Sequence, residues 1–245
     1  MAERLTSFEN RDGVGLLRLQ RPEARNAMNS AMLEELVAHI AAARADDAVR
    51  VLVLASDDVR GLSAGADVRE ELDRDGAIRR MELFADLYEA LVAFPRATVA
   101  ACAGATVGGG AEAAIACDLR VAGDNLKLRF PGAALGVPVG PARLVTLCGL
   151  SVAKDLLLTS RVVGAEEAHR WGLVHRVVEA ERTVEAAMEL AAEVAQHDPA
   201  SVAQIKELLH GHDGVLERTR QEGDGQTEFQ RSGAGLPYRG SGPAP

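Results

Sequence analysis

A mixed α/β core followed by a C-terminal helical region is the fold class this sequence predicts, and three observations predict it. Three segments, residues 14–20, 49–55 and 97–104, are apolar almost throughout, as strands of a parallel sheet covered on both faces must be. Amphipathic helical patterns separate them, with Leu33, Leu36, Val37 and Ile40 in the first and Met81, Phe84, Ala85, Tyr88, Leu91 and Val92 in the second, each placing its apolar side chains on one face. From residue 141 to residue 231 the pattern is almost wholly helical, which separates a helical region from the alternating core.

In chain order, a turn at Asn10 to Gly13 leads into the strand at 14–20. Asn29 or Ser30 caps the first helix, because a short polar side chain there accepts from an unpaired N–H. The strand at 49–55 is the strongest strand signal. A polar loop, SDDVRG, follows it, then LSAGADVREEL and the second helix, which ends before the Phe94-Pro95 step. The stretch TVAACAGATVGGGAEAAIACD, residues 98–118, reads as a buried strand, three consecutive glycines and a helix of small residues. DLRVAG and NLKLRF read as short strands. Helical segments are expected at 141–148, 151–160, 165–171, 183–196, 199–210 and 214–231, with an extended piece at 171–178. The organisation expected is an α/β core over 1–180, a helical region over 181–232 and a loosely ordered Gly/Pro-rich tail over 233–245.

Composition restricts the partners. The net charge of −9 argues against nucleic acid and anionic membranes. No apolar run approaches the ~20 residues of a membrane span, and the charged N-terminus has no apolar signal region. Cys102, Cys117 and Cys148 form no CxxC pair and read as reduced thiols of a cytoplasmic protein. The histidines show no metal-ligand spacing, and there is no G-x-G-x-x-G after a strand, no GK[ST] loop and no HExxH.

The chemistry concentrates in the glycine stretch. Glycines at a strand-to-helix turn let backbone N–H groups approach a ligand, and a helix start adds unpaired donors and a positive dipole end. Gly108 to Gly110 therefore present N–H groups to an oxygen gaining negative charge. Glu112 is the only ionisable side chain between Arg96 and Asp118. Desolvation there raises its pKa toward the range useful for proton transfer. The plainer alternative is a glycine turn with Glu112 serving the helix dipole. Gly61 to Asp67, GLSAGAD, follows a strand in the same way, and two such turns on neighbouring strands aim N–H groups at one point. Its plainer alternative is a small-residue loop with Asp67 capping the next helix. GLSAG also matches the G-x-S-x-G nucleophile elbow, but the polar loop at 56–61 separates strand from serine and no histidine sits in a distinctive context.

GLSAGADVREE followed by AGATVGGGAEAAIACDLRVA resembles the crotonase, or enoyl-CoA hydratase/isomerase, superfamily. LQRPEARNAMN and LLLTSRVVGAEEAHRWGLVHRVV extend the resemblance over most of the chain. It implies a β-β-α spiral core, homotrimers often paired into hexamers, an acyl-CoA thioester as substrate and no cofactor, coenzyme A being part of the substrate. By position it implies an oxyanion hole from the N–H groups of Ser63 and Gly109, a CoA-binding loop over Ser63, Ala64, Gly65 and Ala66, and Glu112 as the first of a hydratase's two catalytic glutamates. Arg25, Arg60 and Arg69 are the arginines near enough in sequence for the CoA phosphates. The second glutamate falls at Gly132, in RFPGAALGVPVG, and no acidic residue occurs from Ala133 to Gly149. One carboxylate is enough to move a double bond, so isomerisation with Glu112 as the single acid/base is the leading expectation. Hydration without a second glutamate and a catalytically silent acyl-CoA binder are the alternatives. The family's AF-x-EKR-like last helix is replaced by QTEFQRSGAGLPYRGSGPAP.

Overall fold

The computed structural model describes residues 4–239. Its main sheet has six strands in the order β1-β2-β3-β4-β6-β8. β1 (Thr6–Arg11) and β2 (Val14–Leu19) form an antiparallel hairpin, and β3 (Val51–Ser56), β4 (Ala97–Cys102), β6 (Leu119–Gly123) and β8 (Arg176–Val178) follow in parallel. β3 and β4 are buried at every residue, as their unbroken apolar sequences require of strands covered on both faces. β1 was not anticipated, because Phe8 is the single apolar residue of TSFENR and only the pairing with β2 makes it a strand.

The expected strand at 97–104 is two strands. The chain bends at Gly104, and β5 (Ala105–Val107) pairs with β7 (Lys127–Arg129) in a second sheet. Single bridges extend that sheet: Met28 to Ala66, Ser63 to Thr106, and Leu128 to Val163. Each turn of the fold therefore repeats one unit, a strand in the main sheet, a short extended piece in the second, then a helix. The helices closing successive turns are α1 (Ser30–Ala45), α2 (Arg74–Val92), α3 (Gly109–Ala116) and α4 (Pro141–Thr159). This is the β-β-α spiral that the resemblance implied.

Local capping mostly follows the sequence. Asn29 caps α1, accepting from the Met32 N–H at 2.9 Å. α2 starts at residue 74 and is capped by Asp73. Asp67 caps nothing; it is ion-paired with Arg21. α4 carries the expected break as a non-helical Gly149 within one helix. α5 (Ala165–Arg170) is followed by a short β8, so the extended piece expected from residue 171 begins only at Arg176.

The core has two layers. One face of the main sheet packs its even-numbered β2 and odd-numbered β3 and β4 residues against α6 (Thr183–Ala195), through Ala186, Ala187, Leu190 and Ala191. The larger core lies on the other face, under α1, α2 and α3. α7 (Pro199–Asp213) is stapled to the sheet by Lys206, whose ammonium donates to Asp118 at 2.8 Å, while Asp118 accepts from the Thr98 N–H at 2.7 Å. α8 (Val215–Arg231) packs along α2. After it the chain turns back toward the core. Leu236 is buried in the main core, and its N–H and C=O pair with the side-chain amide of Gln230, both at 3.0 Å. The rest of the expected tail, residues 240–245, lies outside the described residues.

Candidate active site

A cavity of about 300 Å³ lies where α2, α3, α8 and the two glycine turns meet. Its wall is largely apolar, with Val68, Met81, Phe84, Phe130, Val137 and Leu236 contributing. Of the expected site residues, Ala64, Gly65, Ala66, Gly109 and Glu112 line it, and so does Gly132. Ser63 does not.

Ser63 is the correction. Its N–H donates to the Ala105 carbonyl at 3.2 Å, because the loop runs there as a strand beside β5. Its hydroxyl donates to the Asn26 carbonyl at 2.7 Å and accepts the Gly65 N–H at 3.0 Å. Completely buried and fully hydrogen-bonded, Ser63 offers neither an oxyanion donor nor a nucleophile. Within residues 61–67 the one backbone N–H without an acceptor among the described residues is that of Ala66, and at the start of α3 the Gly109 N–H has none either. Both belong to cavity-lining residues. The parallel bridge explains Ala66: Met28 uses the flanking Gly65 carbonyl and Asp67 N–H, so the Ala66 N–H points away from it. Gly109 is the first residue of α3, where no intrahelical acceptor exists. The two turns touch through Gly65, at φ +94°. A Cβ there would stand 2.8 Å from the Val107 carbonyl oxygen and 3.2 Å from the Gly109 nitrogen, so only glycine lets the backbones come this close.

Glu112 is 1% exposed and is the only carboxylate on the cavity wall among the described residues. Its Oε2 accepts from Arg143 Nη2 at 2.8 Å, and its Oε1 is buried with no partner. Burial pushes its pKa up to about 7. The Arg143 guanidinium opposes that rise and the Glu222 charge adds to it. Arg143 itself is buried, lies 4.8 Å over the Tyr88 ring, and also donates to Glu222 Oε1 at 2.6 Å. Neither Arg143 nor Glu222 was singled out from the sequence. Arg143 follows a proline-glycine turn without any charge pattern, and Glu222 lies 110 residues from Glu112 on a helix of mainly polar residues. Only the packing of α8 on α2 and α4 brings them together.

Position 132 has no space for a side chain. A Cβ on Gly132 would stand 2.5 Å from the Val137 carbonyl oxygen, since the Val137 N–H closes a turn onto the Gly132 carbonyl at 2.8 Å. Tyr88, Arg129 and Gln226 of α8 also line the cavity; Gln226 is 5% exposed with its Oε1 unpartnered. Of the three arginines considered for phosphates, Arg60 is engaged by Asp58 at 2.7 Å and by the Pro22 carbonyl at 3.1 Å. Arg25 and Arg69 make no ion pair among the described residues. Arg25 sits beside the loop, its carbonyl accepting the Ala64 N–H at 3.0 Å.

Residues 9–230 match the family described as enoyl-CoA hydratase/isomerase. The 2,3-dehydroadipyl-CoA hydratase of Escherichia coli K12 is 35% identical over 212 residues, 85% of this chain and 82% of that protein. The short-chain-enoyl-CoA hydratase of Clostridium acetobutylicum is 31% identical over 83% of this chain and 80% of its own length. Among solved structures, Pseudomonas aeruginosa DspI superposes with a TM-score of 0.81 at 32% identity, covering 89% of this chain and 90% of that one.

Proposed function

The chain belongs to the enoyl-CoA hydratase/isomerase family of the crotonase superfamily, and on that premise we propose that it moves the double bond of a 3-enoyl-CoA to the 2,3 position, with Glu112 as its single acid/base. The observation that carries this reading is the single carboxylate on the cavity wall. Glu112 has one oxygen fixed by Arg143 and one bare, and the place of a second carboxylate is a turn without room for a side chain.

The thioester carbonyl oxygen sits between the N–H groups of Ala66 and Gly109, which stabilise negative charge as it forms. Ionised Glu112 takes the proton from Cα through Oε1. The C–H electron pair enters the conjugated system, giving a dienolate whose negative charge rests on the thioester oxygen. Glu112 then returns the proton to Cγ, the double bond settles between Cα and Cβ, and the enzyme is regenerated. A group that must both take and give one proton works best with a pKa near the working pH, and a value of about 7 meets that requirement. Arg143 keeps the carboxylate in one orientation, and the apolar wall excludes water that would protonate the dienolate elsewhere. Arg25 and Arg69 are the proposed phosphate contacts.

Hydration is the second reading, and one observation favours it. The unpartnered Gln226 amide lines the same cavity and offers a hydrogen bond to a water near the acyl chain. Several relatives named as hydratases add to it. The deciding experiment offers a 3-enoyl-CoA and a 2-enoyl-CoA in heavy water and follows both by mass, with wild type and Glu112→Gln. Conversion of the 3-enoyl ester, with no water added to either and with loss of activity in the variant, supports the proposal. Formation of a 3-hydroxyacyl ester replaces it with hydration. Binding of both esters without change in either leaves an acyl-CoA binder.

A further inference from the structure

Glu112, Arg143 and Glu222 form one buried cluster with two carboxylates and one guanidinium. The same nitrogen, Arg143 Nη2, donates to both acids, at 2.8 and 2.6 Å. If both acids are ionised the cluster carries an excess negative charge inside the protein, which desolvation strongly disfavours. Burial and the neighbouring Glu222 charge both raise the proton affinity of Glu112, and the two acids differ in their hydrogen bonds. Glu222 has two donors, since its Oε2 also accepts the Ala142 N–H at 2.8 Å. Ala142 lies in the first turn of α4, whose N-cap, Gly140, offers no side chain. Glu222 thus caps a second helix from outside, with its carboxylate at the positive end of that helix's dipole. Glu112 has one donor and one bare oxygen.

We propose that Glu222 is a positioning residue for Glu112: a fixed negative charge which, joined through Arg143, holds the cluster's one exchangeable proton on Glu112, at the cavity wall. The geometry supplies a second carboxylate from α8 in place of the one that position 132 cannot carry, and this carboxylate works without touching substrate. Glu222 is not on the cavity wall; it lines a surface groove that shares Val137 and Val139 with the cavity. The other polar groups facing the cluster are neutral or already engaged. Tyr88 of α2 stacks under Arg143 and is held in its neutral form by burial. Thr219 of α8 is 3.4 Å from Arg143 Nη1. Arg218 of α8 pairs with Asp213 and donates to the Ala142 carbonyl, and Arg129, on the cavity wall, donates to the Ser160 carbonyl.

The inference rests on Glu112 as the acid/base of the proposed reaction, but its test needs no turnover. The ligand-free protein, labelled with carbon-13 at the glutamate carboxyls, is titrated by NMR, and the Glu112 signal is identified by its loss in Glu112→Gln. The expected wild-type midpoint is near neutral pH. In Glu222→Gln, which preserves shape and the Ala142 hydrogen bond, the midpoint falls by about one unit, a tenfold loss in proton affinity. Glu222→Asp, which keeps the charge, stays near wild type. A wild-type midpoint within the ordinary carboxylate range overturns the proposal without any variant. So does an unchanged midpoint in Glu222→Gln, or an equal shift in both variants, which marks a packing role alone. Absent turnover with the expected titration refutes the reaction and leaves the cluster standing.

Discussion

At the scale of single residues, the bare oxygen of Glu112 gives the protein its expected pH behaviour. A pKa raised to about 7 means that the carboxyl keeps its proton to higher pH than the ordinary 4.5. The base form therefore grows in through neutrality. We expect kcat/KM for a 3-enoyl-CoA to rise with pH with unit slope below about 7 and to level off above it; a profile already flat from pH 5 would contradict Glu112 as base. The same shift sets a stability trend. The unfolded chain releases this proton near 4.5 and the folded one near 7, so this group's contribution to stability falls between those values and is constant above. Ser63 makes the opposite prediction. Its hydroxyl joins two loop segments and its N–H is bonded to Ala105. Ser63→Ala should lower stability by about 1–3 kcal/mol, the cost of leaving buried partners unpaired, while kcat stays within a few-fold of wild type. Thermal unfolding and initial rates on one preparation separate the two effects. The substitution keeps the backbone N–H, so a loss of about 10²–10³-fold in kcat would bring the Ser63 hydroxyl, and not its N–H, into the chemistry.

At the scale of elements, the turn from Gly132 to Val137 decides what one mutation can restore. Supplying the missing glutamate looks like a route to hydratase activity. The Val137 carbonyl oxygen lies 2.5 Å from where a Cβ at position 132 would be, and it is backbone, so the turn itself must move. Gly132→Glu is expected to give no gain in hydration of a 2-enoyl-CoA and to lower the melting temperature. A hydration rate raised tenfold or more in a stable Gly132→Glu protein would show that the turn yields. α8 contributes at this scale too. Glu222 and Gln226 are one turn apart, so they share a face of the helix. That face supplies the cavity with an amide and Glu112 with a neighbouring carboxylate.

At the scale of the whole molecule, the segment after α8 closes the site from within the same chain. Leu236 is 4% exposed and lines the cavity, tied back by the Gln230 amide, and the Arg239 N–H is anchored on the Leu72 carbonyl at 2.7 Å. Ending the chain after residue 232 removes one wall. Burying a leucine is worth about 1.5–3 kcal/mol, so KM for an acyl-CoA should rise roughly tenfold or more while the Glu112 pH profile is retained. An unchanged KM would mean that substrate does not reach that wall. Trimers or hexamers remain the expected assembly, and α7 exposes Ile205, Leu208 and Leu209 on its surface.

What the sequence determined by itself was the order of most elements and the places of two glycine-containing turns. Buried parallel strands need unbroken apolar runs, and glycine is the residue that allows backbones to approach within contact distance. These are local requirements, so they leave local marks: the strand at 49–55, the first part of the strand expected at 97–104, the Asn29 cap, and the glycine turn that carries Gly109 and Glu112 were legible. The tertiary structure decided the rest, because partners fixed by packing leave no periodicity or motif behind. Which N–H of the 61–67 loop has no acceptor depends on a bridge to Met28 and a strand beside Ala105: that of Ser63 is bonded and that of Ala66 is not. Arg143 and Glu222 meet Glu112 only because α4 and α8 fold over α3. Gly132 was legible as a missing carboxylate, but that the turn has no room for one follows from where the Val137 carbonyl falls.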